Sequence, residues 1–193
     1  MTDARLTVER SDSGVLAGWQ GVAGQLQALA QGAASDYGAG MNQLAATSYG
    51  SPDWYLVRVC WHEAAHAVVA QAFAITARIE IDSGNRIGNG RVWLGRTVRH
   101  DSPVVRKMIA LAGSTTEKIA AFGLAHAGAP VVHRYLTAPR VMSQQDQDLA
   151  GDFTSDDTAQ CHALVLRKWP AIAATARRVL HEQLQVNGQR GLQ

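Results

Sequence analysis

His62-Glu63-Ala64-Ala65-His66 decides the reading of this chain, because on a helix the HExxH pattern sets two imidazoles one turn apart with a carboxylate beside them. With 7 histidines in 193 residues, chance would produce such a pentapeptide on the order of once in a hundred chains of this size. The motif is therefore a strong pointer to a zinc-hydrolase layout, and its flanks decide whether it sits on a helix. Ser51-Pro52-Asp53 reads as a helix start, with a hydroxyl cap, a proline where no amide donor is needed and an acid at the positive dipole end. The run from Trp54 to Ile75 is then expected to be helical throughout.

On a 3.6-residue period His62 shares a stripe with Tyr55, Val59, His66, Val69 and Phe73, so both histidines point into protein. The opposite stripe, Val57, Trp61, Ala64, Val68 and Ala72, is apolar too, which predicts a helix buried on most sides. Two satisfied core histidines would give the same pattern. Burying two imidazoles and a carboxylate together is nevertheless costly unless something pairs with them, and a bound zinc ion removes that cost.

A chain of 193 residues can bury a sizeable core. The expected organisation is an N-terminal extension over 1–50 and one zinc metallopeptidase-like domain over 51–193. The net charge of +2 and 18% charged residues, with no basic block, argue against nucleic acid or an anionic membrane as partner. Cys60 and Cys161 form no CxxC pair, which suits a reducing compartment, and Cys60 falls on the far side of the motif helix as a packing residue. No apolar run approaches a membrane span, so a cytoplasmic location is expected.

The extension carries a possible helix from Val15 to Ala33, whose stripe of Val15, Trp19, Val22, Leu26 and Leu29 is interrupted by Gly18, Gly21 and Gly24. The stripe is expected to dock on its own domain, with an oligomer contact through it as the alternative, and Tyr37 to Gly50 reads as the linker behind it. After the motif helix the period changes. Ala77, Ile79 and Ile81 alternate with charged residues, and Val92, Leu94 and Val98 continue beyond a Gly/Asn-rich turn from Ser83 to Gly90, predicting a strand pair. Ser102-Pro103 starts a second helix that stops at Gly123. Leu124 to Met142 reads as an irregular connection. Ser143 caps a third helix, and a last one runs from about Ser155 towards Gly188 with a break at Trp169-Pro170. The fold expected is mainly α with a small β-sheet (α+β).

A catalytic zinc needs a third protein ligand and one open position. The metzincin extension is excluded, since Val69 and Ala72 stand where glycine and histidine are required. Glu117, Asp146, Asp148, Asp152, His126 and His133 remain. Asp146 has Leu149, Ala150 and Phe153 at i+3, i+4 and i+7, whereas Asp148 has Gly151, Asp152 and Ser155 there, and Asp152 has Ser155 and Asp156. Asp146 is therefore the inward carboxylate; its competing role is an acid in the first turn behind the Ser143 cap. Asp148 is the alternative, then Glu117, whose Thr-Glu-Lys-Ile-Ala context loosely matches the third ligand of thermolysin-like enzymes. His126 and His133 fall in the irregular connection and read as surface groups or groups behind the ligands.

His62 to Ala70, HEAAHAVVA, resembles the HEAGHA segment of FtsH-type zinc peptidases, and Leu111 to Ile119, LAGSTTEKI, resembles that family's Leu-Gly-Gly-Arg-Ala-Ala-Glu-Glu-Ile helix. The likeness covers about residues 54–185. It implies a zincin-like fold with HExxH on a buried helix, and a third-ligand aspartate on a later helix, followed by Leu or Ile and, four residues on, by Ala. Asp148 has Leu149 but not the alanine, and Asp146 has Ala150 but not the leucine, so the resemblance leaves the two open and the stripe selects Asp146. It also implies that Glu117 is not itself a ligand. No GxxxxGK[ST] loop and no membrane anchor are seen, and Ala65 replaces the usual glycine.

What the resemblance implies is a stand-alone zinc-dependent endopeptidase acting without ATP on unfolded or exposed polypeptide, with zinc on His62, His66 and Asp146 and with Glu63 as general base. The strand from Arg91 to Val98 is a candidate edge for an extended substrate. The rival expectation is a catalytically inactive, metal-stabilised binding or scaffold protein of the same fold, against which the retention of Glu63 argues. An iron oxygenase uses the same ligand types but does not explain a free glutamate between histidines on one helix.

Overall fold

Helix α1 (Pro52–Ala72) carries the HEAAH motif, and Leu56, Val57, Cys60, Trp61, Ala64, Ala65, Val68 and Val69 are all buried, so the helix is enclosed on most of its circumference. The computed structural model describes residues 52–82, 89–95, 101–123 and 127–190. The segment 1–50, with its expected helix and linker, and His126 lie outside the described residues. Helix α1 ends before the expected Ile75. The Ala74 amide bonds to the Gln71 carbonyl, the Ile75 amide returns to the Ala70 carbonyl, and Ala74 takes a left-handed φ of 59° between them. This is a Schellman-type stop with alanine where glycine is usual, and the buried Ile75 side chain anchors it.

Strands β1 (Ala77–Asp82) and β2 (Asn89–Leu94) pair antiparallel with Ile79 opposite Val92, and the sheet lies against α1. In β1, Ala77, Ile79 and Ile81 turn inward while Arg78, Glu80 and Asp82 face out, as their alternation predicts. The second strand departs from the expected span: it begins at Asn89, inside the stretch read as a turn, because Gly90 pairs with Ile81 and packs on α1. Residues 96–100, where it was expected to continue, lie outside the described residues.

Helix α2 (Pro103–Phe122) starts with proline in its first turn and stops at Gly123, whose amide caps the Ile119 carbonyl. Helix α3 (Ala129–Leu136) corrects the expected irregular connection: Pro130 is placed where a missing N–H costs nothing, and Val132 and Leu136, one turn apart, are buried against the last helix. Helix α4 (Gln144–Ala150) is capped by Ser143 as expected.

Helix α5 (Ser155–Arg190) runs without the break expected at Trp169-Pro170. It opens with Thr154 Oγ1 accepting from the Asp157 amide at 3.2 Å while Asp157 Oδ2 accepts from the Thr154 amide at 2.9 Å. Pro170 removes one backbone donor but is exposed, while Trp169, Ile172, Ala173 and Ala176 on either side are buried against the core. That packing outweighs the lost bond. The Trp169 ring meets Trp61 of α1 at 5.1 Å between centroids.

The core is thus the mutual contact of α1, α2 and α5, with Ile109, Leu111, Ile119, Val165 and Ile172 at its centre. The fold is mainly helical with a two-stranded antiparallel sheet, an α+β arrangement. Among the described residues no helix is long and apolar enough to cross a membrane.

Candidate metal centre

His62 and His66 lie one turn apart on α1, and each ring is turned by a bond from its Nδ1. His66 Nδ1 donates to the Ile109 carbonyl of α2 at 2.6 Å, and His62 Nδ1 donates to Glu117 Oε1 of α2 at 2.8 Å. A carbonyl oxygen and a carboxylate only accept, so both Nδ1 atoms carry hydrogen and both Nε2 atoms face inward. Those two Nε2 atoms are 2.8 Å apart. Two neutral rings in this tautomer would point lone pairs at one another, so the arrangement requires a proton or a cation between them.

Asp146 of α4 closes the triangle. Its Oδ2 is 3.3 Å from His62 Nε2 and its Oδ1 is 3.4 Å from His66 Nε2. Ligands about 2.0–2.1 Å from a tetrahedral zinc are about 3.3–3.4 Å apart, so the two nitrogen–oxygen spacings suit such an ion, while the nitrogen pair is closer. His62, His66 and Asp146 are, among the described residues, the group whose donor atoms lie close enough together to hold a metal ion. Ser143 orients the carboxylate: its hydroxyl donates to Asp146 Oδ2 at 2.8 Å while accepting from the Asp146 amide at 3.0 Å. Asp146 thus stands in the first turn behind the Ser143 cap, with its carboxylate turned to the two histidines.

The rival candidates go elsewhere. Asp148 is exposed and accepts from Gln144 at 2.8 Å. Asp152 is exposed. His133 is paired with Thr158 Oγ1 at 3.0 Å, outside the cluster. Glu117 is at the site, behind His62, with its second oxygen 2.9 Å from Arg58 Nε.

Two glycines shape the centre. A Cβ on Gly113 of α2 would lie 2.6 Å from His62 Cε1, His62 Nε2 and His66 Nε2, so only a bare backbone lets the rings pack on α2. A Cβ on Gly90 of β2 would lie 2.5 Å from Glu63 Cγ and 2.8 Å from its Oε1. Glu63 therefore sits under the strand, 7% exposed, at the floor of a cleft of about 220 Å³ that His62, His66, Asp146, Val92, Ile109 and Leu149 also line. A larger cleft, about 770 Å³, lies on the other flank of α4; its ionisable lining residues are Arg140 and Asp152, and none of the cluster borders it.

The charge state follows from burial and neighbours. For His62 burial works against protonation, but Glu117 and Asp146 overcome it and hold the ring's pKa well above its ordinary value. Burial and the neighbouring His62 push His66 down to about 4. Burial raises Glu63 to about 7 against the pull of His62. Burial would raise Asp146 and Glu117 too, but their bonds to His62 keep both below the usual carboxylate range. Without metal, one proton is thus shared by the imidazole pair, and Arg58 and His62 balance Glu117 and Asp146 while Glu63 is mostly neutral near pH 6.

The sequence reading missed Arg58, Gly90, Gly113 and the Ile109 carbonyl. Arg58 was open to detection, one turn before His62 on its own stripe, and Gly113 stands one turn from both Ile109 and Glu117. Comparison with protein-family models and with curated proteins finds no match for this sequence.

Proposed function

We propose that this protein is a zincin-like, zinc-dependent endopeptidase in which His62, His66 and Asp146 hold the metal and Glu63 is the general base, working on polypeptide in a reducing, cytoplasmic setting. The observation that carries the reading is the pair of inward Nε2 atoms 2.8 Å apart with a carboxylate beside them, while Glu63 stands outside the ligand triangle at the floor of the same cleft. Charge supports it. A divalent cation in place of the shared proton would let Glu63 ionise with the balance kept: three carboxylates against Arg58 and the cation.

When bound, zinc would supply Lewis acidity, polarising a peptide carbonyl and acidifying water to a pKa of about 7. Glu63, ionised once a cation balances it, would accept a proton from water and hand it to the leaving amine. Ile109, Glu117 and Ser143 hold the three ligand side chains in place, so little reorganisation remains at the moment of reaction.

A second reading, a metal-stabilised binding or scaffold protein without activity, is favoured by the cleft volume of about 220 Å³, below the roughly 300–1,000 Å³ of ligand pockets. One experiment separates the two. Purified protein loaded with zinc is incubated with an unfolded casein-like substrate, with and without chelator. Cleavage that chelator abolishes and zinc restores supports the peptidase; stoichiometric zinc without cleavage supports the scaffold; no zinc uptake overturns both.

A further inference from the structure

The two ligand histidines are not held alike. His66 is fixed by a main-chain carbonyl, which α2 itself keeps in place, whereas His62 depends on a side chain, the carboxylate of Glu117. The terminal torsion of a glutamate is broad, so a carboxylate bonded at one oxygen alone swings easily. Glu117 is held at both, by a hydrogen bond at one oxygen and an ion pair at the other. Arg58 Nε stands 2.9 Å from Oε2 while His62 Nδ1 stands 2.8 Å from Oε1. Arg58 and His62 are four residues apart on α1, so one helix face grips the same α2 carboxylate twice. Arg58 is 36% exposed and Glu117 8%, so the arginine reaches from the surface to a buried group one bond away from the proposed ligand.

We propose that Arg58 is a positioning residue of the metal centre: it fixes the rotation of the Glu117 carboxylate and, through it, aims His62 Nε2 at the ligand triangle. The inference rests on the metal reading above for its effect on zinc, but the orientation of His62 exists with or without the ion. Simple charge compensation of a buried carboxylate would need no defined geometry. Positioning does, and that difference is measurable.

Arg58→Met keeps the aliphatic stem and removes the donors. Zinc affinity measured by competition with a chelator should fall about tenfold, the lower end of the range for groups behind metal ligands. The same substitution in a Glu117→Ala background should cause no further fall, and Arg58→Lys, with one compact donor, should lie between Arg58→Met and the parent. In the metal-free protein, exchange of the His62 Nδ1 proton with water, followed by proton NMR, should quicken about tenfold in Arg58→Met. Should that variant not fold, Arg58→Gln is read the same way. Zinc affinity within twofold of the parent, or an equal fall in the Glu117→Ala background, overturns the proposal. If the parent takes up no zinc, the metal reading fails by itself, and an unchanged exchange rate of the His62 proton then overturns the role of Arg58.

Discussion

Gly113→Ala adds one methyl group where both imidazoles rest on α2. Its carbon would stand 2.6 Å from three ring atoms of His62 and His66, and nonbonded contacts are comfortable only from about 3.5 Å, so roughly 0.9 Å must be found. The helix cannot give it freely. Ile109 and Glu117, one turn before and one turn after position 113, hold these same rings through their Nδ1 atoms at 2.6 and 2.8 Å. The rings must instead tilt away from α2, which breaks one or both bonds and spreads the donor triangle. Overpacking of this kind costs about 1–3 kcal/mol, while replacing glycine by alanine inside a helix returns about 1 kcal/mol, so the metal-free protein should lose at most about 2 kcal/mol. The site should lose far more: at least tenfold in zinc affinity and, since displacement by about 1 Å can cost on the order of a hundredfold in rate, about that in hydrolysis. Chelator competition, run beside thermal melts of the metal-free protein, separates the two effects. Zinc affinity equal to the parent's in a stably folded Gly113→Ala protein would refute the packing of both imidazoles against α2 as the determinant of the site.

Glu63→Gln should keep zinc and lose nearly all hydrolysis, whereas His66→Ala should lose both; equal metal loss in the two, by elemental analysis, would show that Glu63 coordinates. Asp146→Asn should weaken zinc binding at least tenfold and Asp148→Asn hardly at all, because only the first reaches the histidines, and chelator competition on the two variants checks it. Burial raises the Glu63 carboxyl in the metal-free protein from 4.5 to about 7, so the folded state binds this proton more tightly than the unfolded chain. Its contribution to stability is then present at low pH and is lost as pH rises from about 4.5 through about 7; melts at pH 5 and pH 8 should show Glu63→Gln gaining on the parent at the higher pH.

Much of the centre was legible because helical phase carries it. The HEAAH stripe turned both histidines inward, and the neighbours at i+3 and i+4 separated Asp146 from Asp148; Asp146 is 8% exposed and Asp148 is on the surface. The existence of the strand pair and the ends of α2 followed from alternation and from Ser102-Pro103 and Gly123. What was not legible depended on tertiary contact. Helix α3 has two turns and two buried residues, too few for a period to show, and it is held by packing on α5. Pro170 marks a break by local rules, but Trp169 and Ile172 are fixed by the core on both sides of it. The stop after Ala72 uses alanine in a left-handed conformation, where sequence rules look for glycine. Gly90 read as a turn residue because its reason for being glycine is Glu63, which is 27 positions away.

Gly90 and Gly113 bound the centre with main chain on two sides, and this restricts how such a protein can diversify. Any side chain at either position collides with Glu63 or with the imidazoles, so the innermost walls are closed to mutational tuning. Variation in what the cleft admits is left to positions that line it without bonding to the ligands, chiefly Gln145 and Leu149 on α4 and Val92 and Leu94 on β2. On the peptidase reading, chemistry and selectivity would then be written on separate sets of residues: a library randomised at those four positions should alter what the cleft admits with the donor cluster intact, whereas one randomised at 90 and 113 should mostly lose the cluster.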